Sequence, residues 1–107
     1  METIPTISPM GTLRDVLEAL SDPVRLEMVR RLERADAPIA CADLYDSVSK
    51  STASHHFKVL REAGLTERLT LGGQTHQRLR LEDVEDSYPG VVSSILAAAG
   101  GPARPVS

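Results

Sequence analysis

The apolar residues between Ser49 and Leu81 change their spacing at Gly64, and that change leaves few folds open. Ahead of Gly64, Ala53, Phe57 and Leu60 recur at intervals of four and three, one face of an α-helix. Ser49 is suited to cap its start and Gly64 to end it in the left-handed conformation. The opposite face shows Lys50, Ser51, Ser54, His55 and Lys58: short hydrogen-bond donors and cations, with few acids. Behind Gly64 the apolar residues follow the alternation of a strand, through Leu65, Leu69 and Leu71. Gly72-Gly73 supplies a turn tolerant of positive φ. The chain returns from Gln74 to Leu81, with Leu79 and Leu81 on one face and Arg78 and Arg80 on the other. A helix followed by a β-hairpin with a polar, basic tip is the predicted outcome.

Upstream, Thr12 is a possible cap for a helix carrying Leu13, Val16, Leu17 and Leu20 as one stripe. Asp22-Pro23 starts a second, with Leu26, Val29 and Leu32 inward and Met28 beside them. After a break at Ala35–Pro38, a short third helix is expected from Ile39 to Val48, with Ile39, Leu44 and Val48 as core contacts. A final helix begins near Pro89 and carries Val91, Val92, Ile95, Leu96 and Ala97–Ala99, more apolar than a one-sided surface helix. Aromatic residues make up only 3% of the 107, so the core must be aliphatic and small, and a partner is expected for that last helix. The order is helix, helix, helix, helix, hairpin, helix. It describes a mainly α winged helix-turn-helix with a small β-hairpin, over residues 12–99. Residues 1–11 read as a flexible arm and 100–107 as a disordered tail.

The formal net charge of −3 speaks against a nucleic-acid partner until it is divided along the chain. Residues 1–48 hold five arginines against nine acids, residues 49–80 six cations against two acids, and residues 81–107 one arginine against four acids. The net charges are −4, +4 and −3. The basic block coincides with the donor-rich helix and the hairpin. A helix of that kind suits the major groove, with the hairpin as a wing along phosphates or the minor groove.

At two stretches the chain resembles the ArsR/SmtB-like bacterial transcriptional repressors. They are Leu20-Ser21-Asp22-Pro23-Val24-Arg25-Leu26 and the run from Ser51 to Leu65, Ser-Thr-Ala-Ser-His-His-Phe-Lys-Val-Leu-Arg-Glu-Ala-Gly-Leu. The resemblance covers roughly residues 12–98. It implies a homodimer joined through the first and last helices, by Leu13, Val16, Leu17, Leu20, Val91, Val92, Ile95 and Leu96. It also implies a double-stranded DNA operator, an inverted repeat, released by an effector. By position the family's DNA-contacting set falls on Ser49, Lys50, Ser51, Thr52, Ser54, His55 and His56, joined by Lys58 and the wing residues Gln74, His76 and Arg78.

Metal-sensing relatives need ligands that this sequence lacks. Cys41 is a single thiol where one family site uses a Cys-x-Cys pair, and the last helix has no histidine for the other. Adjacent His55 and His56 diverge by about 100° on a helix and cannot chelate one ion together. Glu82, Asp83, Glu85 and Asp86 read as a solvated helix start whose acids match the dipole. A nonstandard His and carboxylate site of a Ni(II) or Zn(II) sensor, and a protein-interaction module built on the last helix, are the two alternatives. No cofactor and no catalysis are expected: Ser54 and His55 are neighbours on a helix, not a facing nucleophile and base. No apolar run approaches a membrane span, no signal peptide is read at the N-terminus, and one cysteine fits a reducing, cytoplasmic setting.

Overall fold

Cap residues organise the first half of the chain. Thr12 and Asp15 exchange hydrogen bonds, Asp15 N–H to Thr12 Oγ1 at 3.1 Å and Thr12 N–H to Asp15 Oδ2 at 2.9 Å, and close a capping box on α1 (Leu13–Leu20). Asp22 Oδ1 accepts from the Val24 and Arg25 amides at 2.8 and 3.1 Å and starts α2 (Pro23–Ala35), with Pro23 at the first helical position. Ser49 caps α3 (Lys50–Glu62) through the Thr52 amide. The computed structural model describes residues 9–100, so most of the expected arm and tail lies outside the described residues. Met10 and Gly11, expected at the end of the arm, belong to the folded unit. Gly11 N–H donates to Ala63 O at 3.0 Å, and Tyr88 Oη donates to Gly11 O at 2.6 Å. A side chain at Gly64, whose φ is +89°, would collide with Met10.

The expected helix from Ile39 to Val48 does not form. Its apolar residues are five and four apart, which puts Ile39 and Val48 on opposite sides of any helix. Pro38 instead leads into a short strand, β1 (Ile39–Ala40), followed by one 3₁₀ turn at Cys41–Asp43. Leu44 is buried, while Ile39 and Val48 are half-buried. The first helix of the expected helix-turn-helix pair is thus reduced to this turn.

Strands β2 (Thr66–Leu71) and β3 (Gln74–Leu79) form the hairpin, and β1 pairs with β3 to give an antiparallel sheet of order β1-β3-β2. Gly72 and Gly73 have φ of +57° and +81°, the two left-handed positions of a type I′ turn. The strand stops before Leu81. Arg80 turns inward rather than outward, its amide donating to Leu65 O at 2.8 Å and its Nε to Asp83 at 3.1 Å.

The last helix starts near Pro89 as expected, and a further short helix stands before it. α4 (Leu81–Ser87) precedes α5 (Val91–Gly100), and Glu85 bridges them by accepting from the Gly90 and Ser93 amides at 2.8 and 3.1 Å. Those two amides hold the Glu85 carboxyl below the usual carboxylate range. The acidic cluster is therefore divided between a cap, an ion pair and solvent. The core joins Val16, Leu20, Val29, Leu32, Leu60, Leu65, Val84, Val92 and Leu96 with a single buried aromatic ring, Phe57. Four of the eight residues expected at a dimer seam, Val16, Leu20, Val92 and Leu96, are thus interior to one chain, because both helices pack on their own domain. Leu13 and Leu17 stay 41% and 44% exposed, and Val91 and Ile95 are half-buried.

Burial raises the Asp22 pKa, but the Arg25 and Val24 amides and the nearby His56 and Arg25 side chains outweigh it and leave the carboxyl below its ordinary value. A lowered folded-state pKa means that the stabilisation is present above the unfolded value and fades as pH falls through the folded one. Asp22→Ala is expected to cost about 1 kcal/mol at pH 7. Urea unfolding should show that difference shrinking below about pH 4.

Candidate nucleic-acid interface

Arg25, in the first turn of α2, joins three elements. Its Nε donates to Ala19 O at 2.8 Å, a carbonyl whose i+4 residue is Pro23 and has no N–H to give, and its Nη2 donates to Glu18 O at 3.4 Å, which also accepts from Ser21. Its Nη1 lies 3.0 Å from His56 Nδ1 on α3. A guanidinium only donates, so Nδ1 accepts and the ring proton sits on Nε2, 4.0 Å from Asp22 Oδ1. His56 is buried, which corrects its expected place in the DNA-contacting set. It faces α2, while its neighbour His55 faces solvent.

The rest of the expected helix face is open. Ser49, Lys50, Ser51, Thr52, Ser54, His55 and Lys58 are all exposed. Ser49 Oγ also contacts the Ser51 and Thr52 hydroxyls at 3.2 and 3.0 Å, so the donors at the start of α3 form one linked cluster. Lys58 lies 4.0 Å from Glu62, a loose pair between exposed side chains. The start of α3 thus presents hydroxyls, one free cation and the positive end of the helix dipole to solvent, an arrangement suited to phosphates and base edges.

The wing has two faces. Glu67 is opposite Arg78 and the two form an ion pair on the outer face, so the Arg78 charge is compensated. His76 is half-buried, its Nδ1 donating to Gln74 O at 3.0 Å, and Gln74 is exposed beside the tip. Arg68 is opposite Gln77 on the face turned toward α3. Sequence reasoning missed Arg68 and also Arg61 in the last turn of α3. The alternation of Glu67 and Arg68 held the signal, since it puts them on opposite faces. Among the described residues neither Arg61, Arg68 nor Lys50 sits in an ion pair. Arg30, Arg31 and Arg34 of α2 all engage Glu27.

Between the 3₁₀ turn, α3 and the inner face of the wing lies a cavity of about 490 Å³. Gln77 is buried in its wall, donating from Nε2 to Cys41 Sγ at 3.6 Å, and its Oε1 has no partner among the described residues. Cys41 is half-buried and serves as that acceptor. Among the described residues no three His, Cys, Asp or Glu side chains converge on a metal position, and no helix is long and apolar enough to cross a membrane.

A buried three-helix framework that presents a donor-rich helix beside a hairpin defines a winged helix-turn-helix regulator of transcription. The family model described as a helix-turn-helix domain matches residues 20–68. An uncharacterized HTH-type transcriptional regulator, YceK of Bacillus subtilis (strain 168), is 33% identical over 82 residues, which are 75% of this chain and 82% of the relative. An ArsR-like transcriptional regulator from Rhodococcus sp. RHA1 superposes with a TM-score of 0.61 at 26% identity, over 82% of this chain and 78% of that one. The homodimeric winged helix-turn-helix domain Mb0332 from Mycobacterium bovis, a possible ArsR-family regulator, superposes with a TM-score of 0.64 at 24% identity, over 81% and 77%. The chain belongs to the ArsR family of helix-turn-helix transcriptional regulators.

Arg25→Met removes one guanidinium from three acceptors and is expected to cost about 2–3 kcal/mol. A double-mutant cycle with His56→Ala, read by urea unfolding, should give a coupling of about 0.5–3 kcal/mol. Arg25→Lys should not restore stability, because an ammonium cannot span the same fork.

Proposed function

We propose that the chain is a repressor that binds an inverted-repeat operator as a homodimer and is released by an effector. The observation that carries this reading is the solvent face of α3, where exposed Lys50, Ser51, Thr52, Ser54 and His55 surround the capped helix start with no acid among them. In this reading α3 enters the major groove by its N-terminal half, the short hydroxyl side chains let it sit deep, and Lys50 and Lys58 hold phosphates. Gln74 and His76 serve at the wing. Arg78 is neutralised by Glu67 and contributes less than its charge implies.

The dimer reading narrows to the surface that the fold leaves uncovered. Leu13 and Leu17 lie one turn apart on α1 and form an exposed aliphatic pair, with Val91 and Ile95 half-buried on α5. Two copies related by a two-fold axis would present two α3 helices to half-sites about 34 Å apart or a multiple of that spacing. The homodimeric state of the Mycobacterium bovis domain supports this assembly.

Fluorescence anisotropy with DNA from upstream of its own gene is the direct test. Binding should be sequence-selective and weaken steeply with salt. Lys50→Ala with His55→Ala is expected to lower affinity by about tenfold or more without changing thermal stability. Unchanged affinity overturns the assignment of α3 as the reading helix. Leu13→Glu with Leu17→Glu should halve the mass seen by light scattering and leave a folded chain. An unchanged mass overturns the α1 seam.

A further inference from the structure

We propose that the cavity between the 3₁₀ turn, α3 and the wing is the effector site, and that it takes a small amphipathic anion: one carboxylate or phosphate head on an apolar body. The inference rests on the DNA-binding reading and gives it a mode of release. Three cations line this space, Lys50, Arg61 and Arg68, against a single carboxylate, Asp43. Folding brings Arg61, at the end of α3, and Arg68, on β2, to one part of this space, and Lys50 stands at its other end near the start of α3.

None of the three is in an ion pair among the described residues, whereas Arg14, Arg30, Arg31, Arg34, Lys58 and Arg78 all are. Burial, and then the proximity of Arg68, lowers the Arg61 pKa, and the neighbouring Cys41 and Glu62 offset this only in part. The volume of about 490 Å³ lies within the range of small-molecule sites. The wall is mixed. Tyr45 and Phe57 pack edge to face with ring centroids 6.2 Å apart and supply the apolar part. Gln77 adds a buried amide whose carbonyl oxygen has no partner among the described residues; it takes a donor, so it belongs beside the body of the guest and not its anionic head.

A DNA phosphate does not account for the whole site. Arg61 is eleven residues beyond Lys50, about 16 Å along α3, at the end away from the groove. An aromatic wall is of no use to a phosphodiester. The mouth of the cavity is nevertheless shared with the DNA face through Lys50 and Ser54. A guest whose anionic head is held by Arg61 and Arg68 extends its body along the cavity toward Ser54 and the mouth, and crowds the path that DNA takes there. Anion and operator exclude one another, and by linkage each weakens the other by the same factor.

Titration calorimetry with phenylacetate and with phenyl phosphate tests the site, with phenylacetamide as the uncharged control. At least one of the two anions is expected to bind saturably at one site per chain, and the amide not at all. Arg61→Met, and independently Ala42→Phe at the mouth, should weaken anion binding by about tenfold or more. DNA affinity without the anion should stay within about threefold of wild type in both variants. In anisotropy, saturating anion should lower DNA affinity by about tenfold beyond a sodium chloride control of equal ionic strength. Three results overturn the proposal: no saturable heat from either anion, binding that survives both variants, or binding that leaves DNA affinity at the salt-matched value. A chain that takes the anions through Arg61 but binds no DNA overturns the operator reading and the competition, and leaves the anion site standing.

Discussion

The Arg25 guanidinium is the contact on which the arrangement of the helices depends. α1 and α2 meet at a tight corner, where the Ala19 carbonyl faces Pro23 at the next turn and would otherwise lack a donor. Arg25 fills that gap and spends its remaining N–H on His56, so one side chain fixes the α1–α2 corner and the roll of α3 about its own axis. Asp22 makes this possible by capping α2 at the residue where the Arg25 side chain must begin. Since the aliphatic core has one buried aromatic ring and little interior, a hydrogen-bonded joint of this kind has more influence here than it would in a larger domain.

Charge is distributed by the same economy. The acidic flanks are not a diffuse field. Glu27 gathers three arginines of α2, Asp83 holds Arg80, Glu67 holds Arg78, and Glu85 caps α5. Exposed pairs of this kind contribute only about 0–1 kcal/mol each to stability. Their larger effect is subtraction. They silence most of the cations on the molecule, so that Lys50, Arg61 and Arg68 stand out against an acidic whole.

Much of the fold was legible in the sequence because local rules and tertiary packing agree there. Asp22-Pro23, Ser49, Gly64 and Gly72-Gly73 each take the conformation that their chemistry favours. The stretch from Ile39 to Val48 was not legible. Its strand exists only because β3 offers Gln77 and His76 as partners, a non-local fact that no spacing announces. Pro89 marks the start of the last helix, but nothing in the spacing announces α4, whose single buried residue, Val84, gives it no apolar stripe. In the candidate interface, the exposed row from Ser49 to Lys58 follows from helical geometry alone. His56 did not, because its burial depends on an arginine thirty-one positions earlier. Arg61 and Arg68 escaped notice because the space they share is closed by three separate elements.

The joint at Arg25 has a mechanical consequence. α1 carries the uncovered Leu13 and Leu17 on one side and is gripped at its end by the side chain that also holds His56. A body leaning on those leucines therefore acts on a crank. The end of α1 is thereby tied to α3 by hydrogen bonds through one side chain, in addition to the aliphatic contacts of the core. In the reading proposed above, a partner seated on those leucines bears, through Arg25 and His56, on the same helix that carries His55.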